Sequence, residues 1–142
     1  MFIEPTELPF NVLIGLRYSD NADYMFMLED KNQYQNHVGT VHASAQFALA
    51  EATSGHYLKQ EFFSELPDLI PLLKKVEVRY RKPAKGKLFS KAALKDVNKQ
   101  EVIASINEKG NALASVETFL FDKDANMVMQ SLYEWYVILQ TE

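Results

Sequence analysis

Residues 36–51, NHVGTVHASAQFALAE, hold the side chains of this chain best placed for chemistry: the amide of Asn36, Gly39, the imidazole of His42 and the carboxylate of Glu51. Over 41–57 Glu51 is the only Asp, Glu, Lys or Arg, and its neighbours are small or apolar (Ala43, Ala45, Phe47, Ala48, Leu49, Ala50, Ala52). A surface helix carries a polar face, and this segment has none to offer, so the pattern predicts a buried helix. A carboxylate carried into a core needs a partner or takes a shifted pKa, and such groups concentrate at reaction sites. Desolvation raises a carboxylate's pKa toward neutrality, the range useful to a general base. The start of the same helix, 41–44, supplies unpaired backbone N–H groups and the positive end of the helix dipole, which suit a developing oxyanion. Each group also has a plainer role open to it. Glu51 could reach the surface or join an ion pair, Asn36 could hold a turn through its own backbone, and His42 could serve as a structural partner at the helix start.

The spacing of Asn36, Gly39, His42 and Glu51 resembles the helix-start pattern of hotdog-fold acyl thioesterases of the phenylacetate-pathway type. That pattern runs N-x-x-G-x-x-H-G-G with an acidic residue nine positions after the His, and the four residues fall on it without a gap. The resemblance implies an α+β hotdog fold, an antiparallel sheet wrapped around one long central helix. It also implies hydrolysis of acyl-CoA or acyl-carrier-protein thioesters, with coenzyme A present only as part of the substrate and no separate cofactor. Glu51 would activate water, while Asn36 and the backbone N–H of Ala43 would polarise the thioester carbonyl. Gly39, His42, Ser44 and Phe47 would contact substrate, and the site would lie where two copies meet in a homodimer or a dimer of dimers. Where the family has Gly-Gly this chain has Ala43 and Ser44. The N–H survives that change, but each added Cβ narrows the entrance. A non-catalytic acyl-binding protein on the same fold is therefore the alternative. A hydratase would need an Asp–His pair, and none stands at a suitable spacing.

Charge is unevenly spread. The chain of 142 residues carries a formal net charge of −4, yet residues 74–99 hold ten Lys or Arg against Glu77 and Asp96. That segment alternates Val76, Val78 and Tyr80 with Glu77, Arg79 and Arg81, passes through 83–86 as turn chemistry, and resumes with Lys87, Lys91 and Lys95 at even spacing. It predicts a basic hairpin. Arg79, Arg81, Lys82 and Lys85 are candidates for the phosphates of coenzyme A or an acidic carrier protein. A solvated sheet face with edge lysines guarding against aggregation is the other explanation. Nucleic acid is not expected, since the balance is acidic and no binding motif accompanies the patch.

The remaining elements must position these groups. Length and an apolar content of 47% fit one globular domain, 1–142. There is no cysteine, hence no disulfide, thiolate nucleophile or zinc–thiolate site. His37, His42 and His56 lack chelating spacing, so no metal is expected. Glu4 and Glu7 stand where a signal peptide wants positive charge, and no apolar run has the length of a membrane span, which predicts a cytoplasmic protein without membrane attachment. Residues 11–19 and 24–28 predict a first hairpin, and the central helix should start near Thr40 and stop near Gly55. A second helical piece follows over 56–66. Asn98 and Glu101 form a capping box for a short peripheral helix closed by Gly110. Residues 113–121 and 127–139, joined by Asp122 to Asn126, predict a long antiparallel hairpin. Phe47, Tyr57, Phe62 and Phe63 are candidates for lining an acyl pocket, with ordinary core packing as the plainer reading.

Overall fold

The computed structural model describes residues 3–140. In chain order it contains α1 (Pro9–Leu13), β1 (Arg17–Tyr18), β2 (Phe26–Leu28), α2 (Ala43–Phe62), β3 (Leu69–Tyr80), β4 (Leu88–Leu94), α3 (Lys99–Lys109), β5 (Asn111–Phe121) and β6 (Met127–Leu139). The strands form a single six-stranded sheet in the order β1-β2-β4-β5-β6-β3, antiparallel throughout. α2 packs on its inner face and touches β2, β3, β4, β5 and β6. This is the expected α+β arrangement, a sheet around one long helix.

β5 and β6, both interior strands, alternate cleanly: Ala112, Ala114, Val116, Thr118 and Leu120 face inward opposite Val137, Trp135, Tyr133, Ser131 and Met129. Their turn is built by Asp122, whose Oδ1 accepts the N–H groups of Asp124 and Asn126 at 2.9 Å each. The capping box of α3 forms as expected, with Asn98 Oδ1 accepting the Glu101 N–H at 2.8 Å, and Gly110 closes the helix at φ 78°. α3 is not peripheral, however: Val102 and Ile106 are buried in the core.

Three expectations need correction. Residues 11–13 are helical rather than strand, because Pro9 opens α1 at a position that needs no N–H donor, and only Arg17–Tyr18 pairs with β2. The central helix starts after its cap, His42, and continues through Gly55 to Phe62 as one element of 20 residues. An interior glycine costs a helix about 1 kcal/mol, whereas fully burying Leu58 and Phe62 returns about 1.5–3 kcal/mol each, so the helix does not stop. The third concerns the basic segment, which is not a hairpin. β3 pairs with β6 at the edge of the sheet, while β4 lies between β2 and β5. The edge leaves the lysines of β3 in water, and the connection over 81–87 crosses the sheet end, tied by Val41 N–H to the Ala84 carbonyl at 2.8 Å.

Candidate active site

The loop before α2 is organised by Asn36. Its Oδ1 accepts the N–H groups of Val38 and Thr40 at 3.0 Å each, and its Nδ2 donates to Thr40 Oγ1 at 2.8 Å. Gly39, at φ 79°, allows the tight reversal that these bonds close. His42 caps the helix: its Nδ1 accepts the Ser44 N–H at 2.9 Å. That bond consumes one of the orphan donors of the first turn. Among the described residues the Ala43 N–H has no acceptor, and it points out of the helix end with the favourable dipole.

Around this helix end lies a cleft of about 530 Å³ whose walls include Asn36, Thr40, Ala43, Gln46, Tyr80, Arg81, Lys82 and Lys85. The crossing connection, not a hairpin, brings the basic residues here. Tyr80 also donates from its hydroxyl to the Ala43 carbonyl at 3.2 Å, pinning β3 to the helix start. Arg81 looks both ways, since its guanidinium donates to Gln130 Oε1 at 3.0 Å on the outer sheet face. Arg79 does not reach this cleft and, of the other basic candidates, shares only the outer-face depression with Arg81. It lies on that outer face with Glu77, Lys95, Glu117 and Gln130. Lys87 and Lys95 are likewise answered by carboxylates, Asp20 and Glu117 respectively, so the outer face is a charge-paired, solvated surface.

Glu51 faces a different space. A cavity of about 500 Å³ is walled by Glu51, Ala48, Ala52, Gly55, His56 and Lys59 of α2, by Trp135 and Pro71 of the sheet, and by Pro5, Leu8, Pro9, Phe10 and Asn11 of the N-terminal segment. Glu51 is half-buried, and burial pushes its carboxyl pKa above the ordinary value. Burial also lowers the pKa of His56 and of Lys59. The Trp135 indole lies against the helix at Gly55, and the indole N–H donates to Ser54 Oγ at 3.1 Å. Beneath the helix, the hydroxyl of the fully buried Tyr133 donates to the Phe47 carbonyl at 3.0 Å, one turn before Glu51. Burial, and after it the negative charge of Glu51, raises the Tyr133 pKa.

The helix thus carries two half-sites that share no wall residue. Glu51 follows Ala43 by eight residues, about 12 Å along the axis. His42 and Ser44 line a third, shallower depression with Phe10, Leu13 and Ala45. The aromatic candidates make core contacts: Phe47 meets the Tyr133 ring at a tilt with centroids 5.5 Å apart, Phe62 is fully buried, and the Tyr57 hydroxyl accepts the Leu94 N–H. Phe63 packs against the core and lies beneath the Lys59 ammonium. Sequence reasoning missed the cavity's outer wall, because nothing in 5–11 says which helix face it will cover. It passed over His56 except as a metal ligand, although His56 sits on the same charge-poor helix as Glu51. Among the described residues no cluster of His, Asp and Glu could hold a metal, and no helix is long and apolar enough to cross a membrane.

The family described as a domain of unknown function, DUF4442, matches residues 19–137. No curated protein matches the sequence. Among solved structures the chain is similar to PA5026 of Pseudomonas aeruginosa, described as a protein of unknown function and probable thioesterase, at 27% identity with a TM-score of 0.81 over 96% of this chain and 91% of that one. It is similar to the thioesterase HI1161 of Haemophilus influenzae at 12% identity and a TM-score of 0.72, covering 96% and 87% of the two chains. The BH2602 protein of Bacillus halodurans, solved with CoA, aligns at 14% identity and a TM-score of 0.63 over 80% of this chain and 70% of that one. The fold is the hotdog fold, which these structures share.

Proposed function

The chain belongs to the DUF4442 family, and from that membership, its hotdog fold and its two half-sites we propose that it hydrolyses acyl thioesters of coenzyme A or of an acyl-carrier protein. The observation that carries this reading is Glu51: a helix carboxylate at the wall of a largely apolar cavity of about 500 Å³, its pKa raised by desolvation. A carboxylate made more basic by its surroundings is suited to take a proton from water as the water attacks the thioester carbon. The tetrahedral intermediate then carries an oxyanion, for which the unpaired Ala43 N–H at a helix N-terminus is a preorganised donor. Collapse expels the thiolate and leaves the carboxylic acid.

One copy does not bring these groups to one place. A symmetric dimer would seat the Ala43 cleft of one copy against the Glu51 cavity of the other, giving two equivalent sites. The terminal strand β3 supports such pairing, because β6 covers only one of its edges and a second copy could extend the sheet along the other. Arg81, Lys82 and Lys85 at the cleft rim would receive the nucleotide phosphates, a reading supported by the Bacillus halodurans structure of the same fold, which was solved with CoA.

A second reading, acyl-CoA binding without turnover, is favoured by Asn36. Its amide is engaged in holding its own loop, which leaves one N–H for a substrate carbonyl. Thiol release from a panel of acyl-CoA thioesters, by the wild type and by Glu51→Gln, separates the two. Turnover lost by about 10²-fold or more in a folded variant supports hydrolysis with Glu51 as base. Binding with no thiol release from any thioester supports the second reading.

A further inference from the structure

We propose that the Glu51 cavity selects acyl groups bearing a neutral oxygen, a hydroxyl or keto group, near the sixth carbon, and that His56 is the residue that reads it. The inference deepens the thioesterase reading and rests on it for the position of the thioester carbonyl. His56 follows Glu51 by five residues on the same helix and lines the same cavity. Five residues advance about 7.5 Å along the axis, close to the span from a thioester carbonyl to an oxygen on the sixth carbon.

The ring of His56 is 9% exposed and packed against two aromatic rings, Phe26 at 5.3 Å and Tyr18 at 6.1 Å between centroids. Its Nδ1 is fully enclosed with no hydrogen-bond partner. An N–H forced into that apolar enclosure would be costlier than a bare lone pair, so the ring carries its proton on Nε2. Among the described residues Nε2 has no partner either, and it is the polar atom the ring can offer to the cavity. Burial lowers the pKa of the imidazole, outweighing the opposite pull of the Glu4 charge, which suits a neutral donor better than a second base. A hydrocarbon acyl chain would leave that donor unsatisfied in a dry pocket, whereas an oxygen at the same depth would accept from it.

The other polar wall residues do not compete for the role. Asn11 donates one amide N–H to the Pro5 carbonyl at 3.0 Å, which ties its side chain to its own segment. Lys59 feels the opposite charge of Glu4, so the far end of the cavity is not a bare cationic site awaiting a carboxylate.

The test compares hexanoyl-CoA, 3-hydroxyhexanoyl-CoA, 6-hydroxyhexanoyl-CoA and adipoyl-CoA by thiol release, and the non-hydrolysable hexyl and 6-hydroxyhexyl thioethers of CoA by calorimetric binding. The expected result is a preference of about tenfold for the 6-hydroxy over the unsubstituted chain in both kcat/KM and Kd, with no gain from the 3-hydroxyl. His56→Phe, which keeps the ring packing, should bring the 6-hydroxy-to-unsubstituted ratio to about one in both kcat/KM and Kd, whatever it does to the hexanoyl rate. His56→Gln, which restores a donor, should recover part of the preference. A wild type indifferent to the 6-hydroxyl, or a preference that survives His56→Phe, overturns the proposal, and a preference for adipoyl-CoA assigns the cavity to Lys59 instead. If no thioester is cleaved but the thioethers bind with the expected preference, the hydrolysis reading fails and the pocket assignment stands. If neither thioether binds, the pocket assignment fails.

Discussion

Replacing Ala43 by proline isolates one atom of the proposed site. Ala43 is the first residue of α2, directly after the cap His42, so its N–H has no place in the helix ladder. Proline is well tolerated there, and it requires an extended residue before it. His42, at φ −58° and ψ 138°, already has that conformation. The substitution should therefore leave stability unchanged or raise it by about 0.4–1 kcal/mol through the unfolded chain. Its effect on turnover should be far larger, since loss of one oxyanion donor costs about 10²–10³ in kcat, or about 2.7–4 kcal/mol. Thermal melts and thiol release on the same preparation separate the two quantities. A folded Ala43→Pro protein with wild-type kcat would remove Ala43 from the site. Mixing then tests the composite arrangement. When Ala43→Pro and Glu51→Gln chains are unfolded together and refolded, about half of the dimers are mixed, and each mixed dimer has one intact site. About one quarter of wild-type activity should return from two inactive proteins. No recovery despite subunit exchange would place both groups in sites of a single copy.

Other consequences are open to simpler measurement. Because the folded-state pKa of Glu51 is raised, the native protein holds that proton more tightly than the unfolded chain; the cost to stability is absent below about 4.3, builds as pH rises through the unfolded value toward the higher folded one, and is fully present above the folded pKa. Glu51→Gln should melt higher than wild type at pH 8, with the gap closing toward pH 4; a lower melting point at pH 8 would contradict the burial argument. For the same reason kcat/KM should rise with pH on a limb lying above the usual carboxylate range, and a limb at the ordinary glutamate value would count against Glu51 as the base. Gly55→Ala should stabilise the protein by about 0.5–1 kcal/mol in chemical denaturation, since the new Cβ meets Trp135 at 3.6 Å, an ordinary contact. Charge reversal of Lys82 and Lys85 should raise KM for acyl-CoA with kcat little changed, whereas Arg79→Glu, on the outer face, should do neither; equal effects from both would refute the division of the basic segment.

Much of this protein is legible in its sequence where the chemistry is local. The turn at Asp122, the cap at Asn98, the left-handed Gly110 and the alternating strands β5 and β6 each depend on residues a few positions apart, and each forms as read. The helix that carries Glu51 is legible for the same reason, as a long stretch without a charged face. What the sequence left undecided depends on partners far along the chain. Gly55 has the chemistry of a helix stop, and only the burial of Leu58 and Phe62 against the sheet overrides it. The basic strands look like neighbours because they are adjacent in sequence, yet β3 finds its hydrogen bonds with β6, some sixty residues away. That exchange of partners sends Lys82 and Lys85 to the helix start and Arg79 to the opposite face. The distance between the Ala43 cleft and the Glu51 cavity was likewise invisible in the spacing of the residues, because a one-dimensional pattern fixes their separation along the helix but not the surfaces that the sheet and the N-terminal segment fold over each of them.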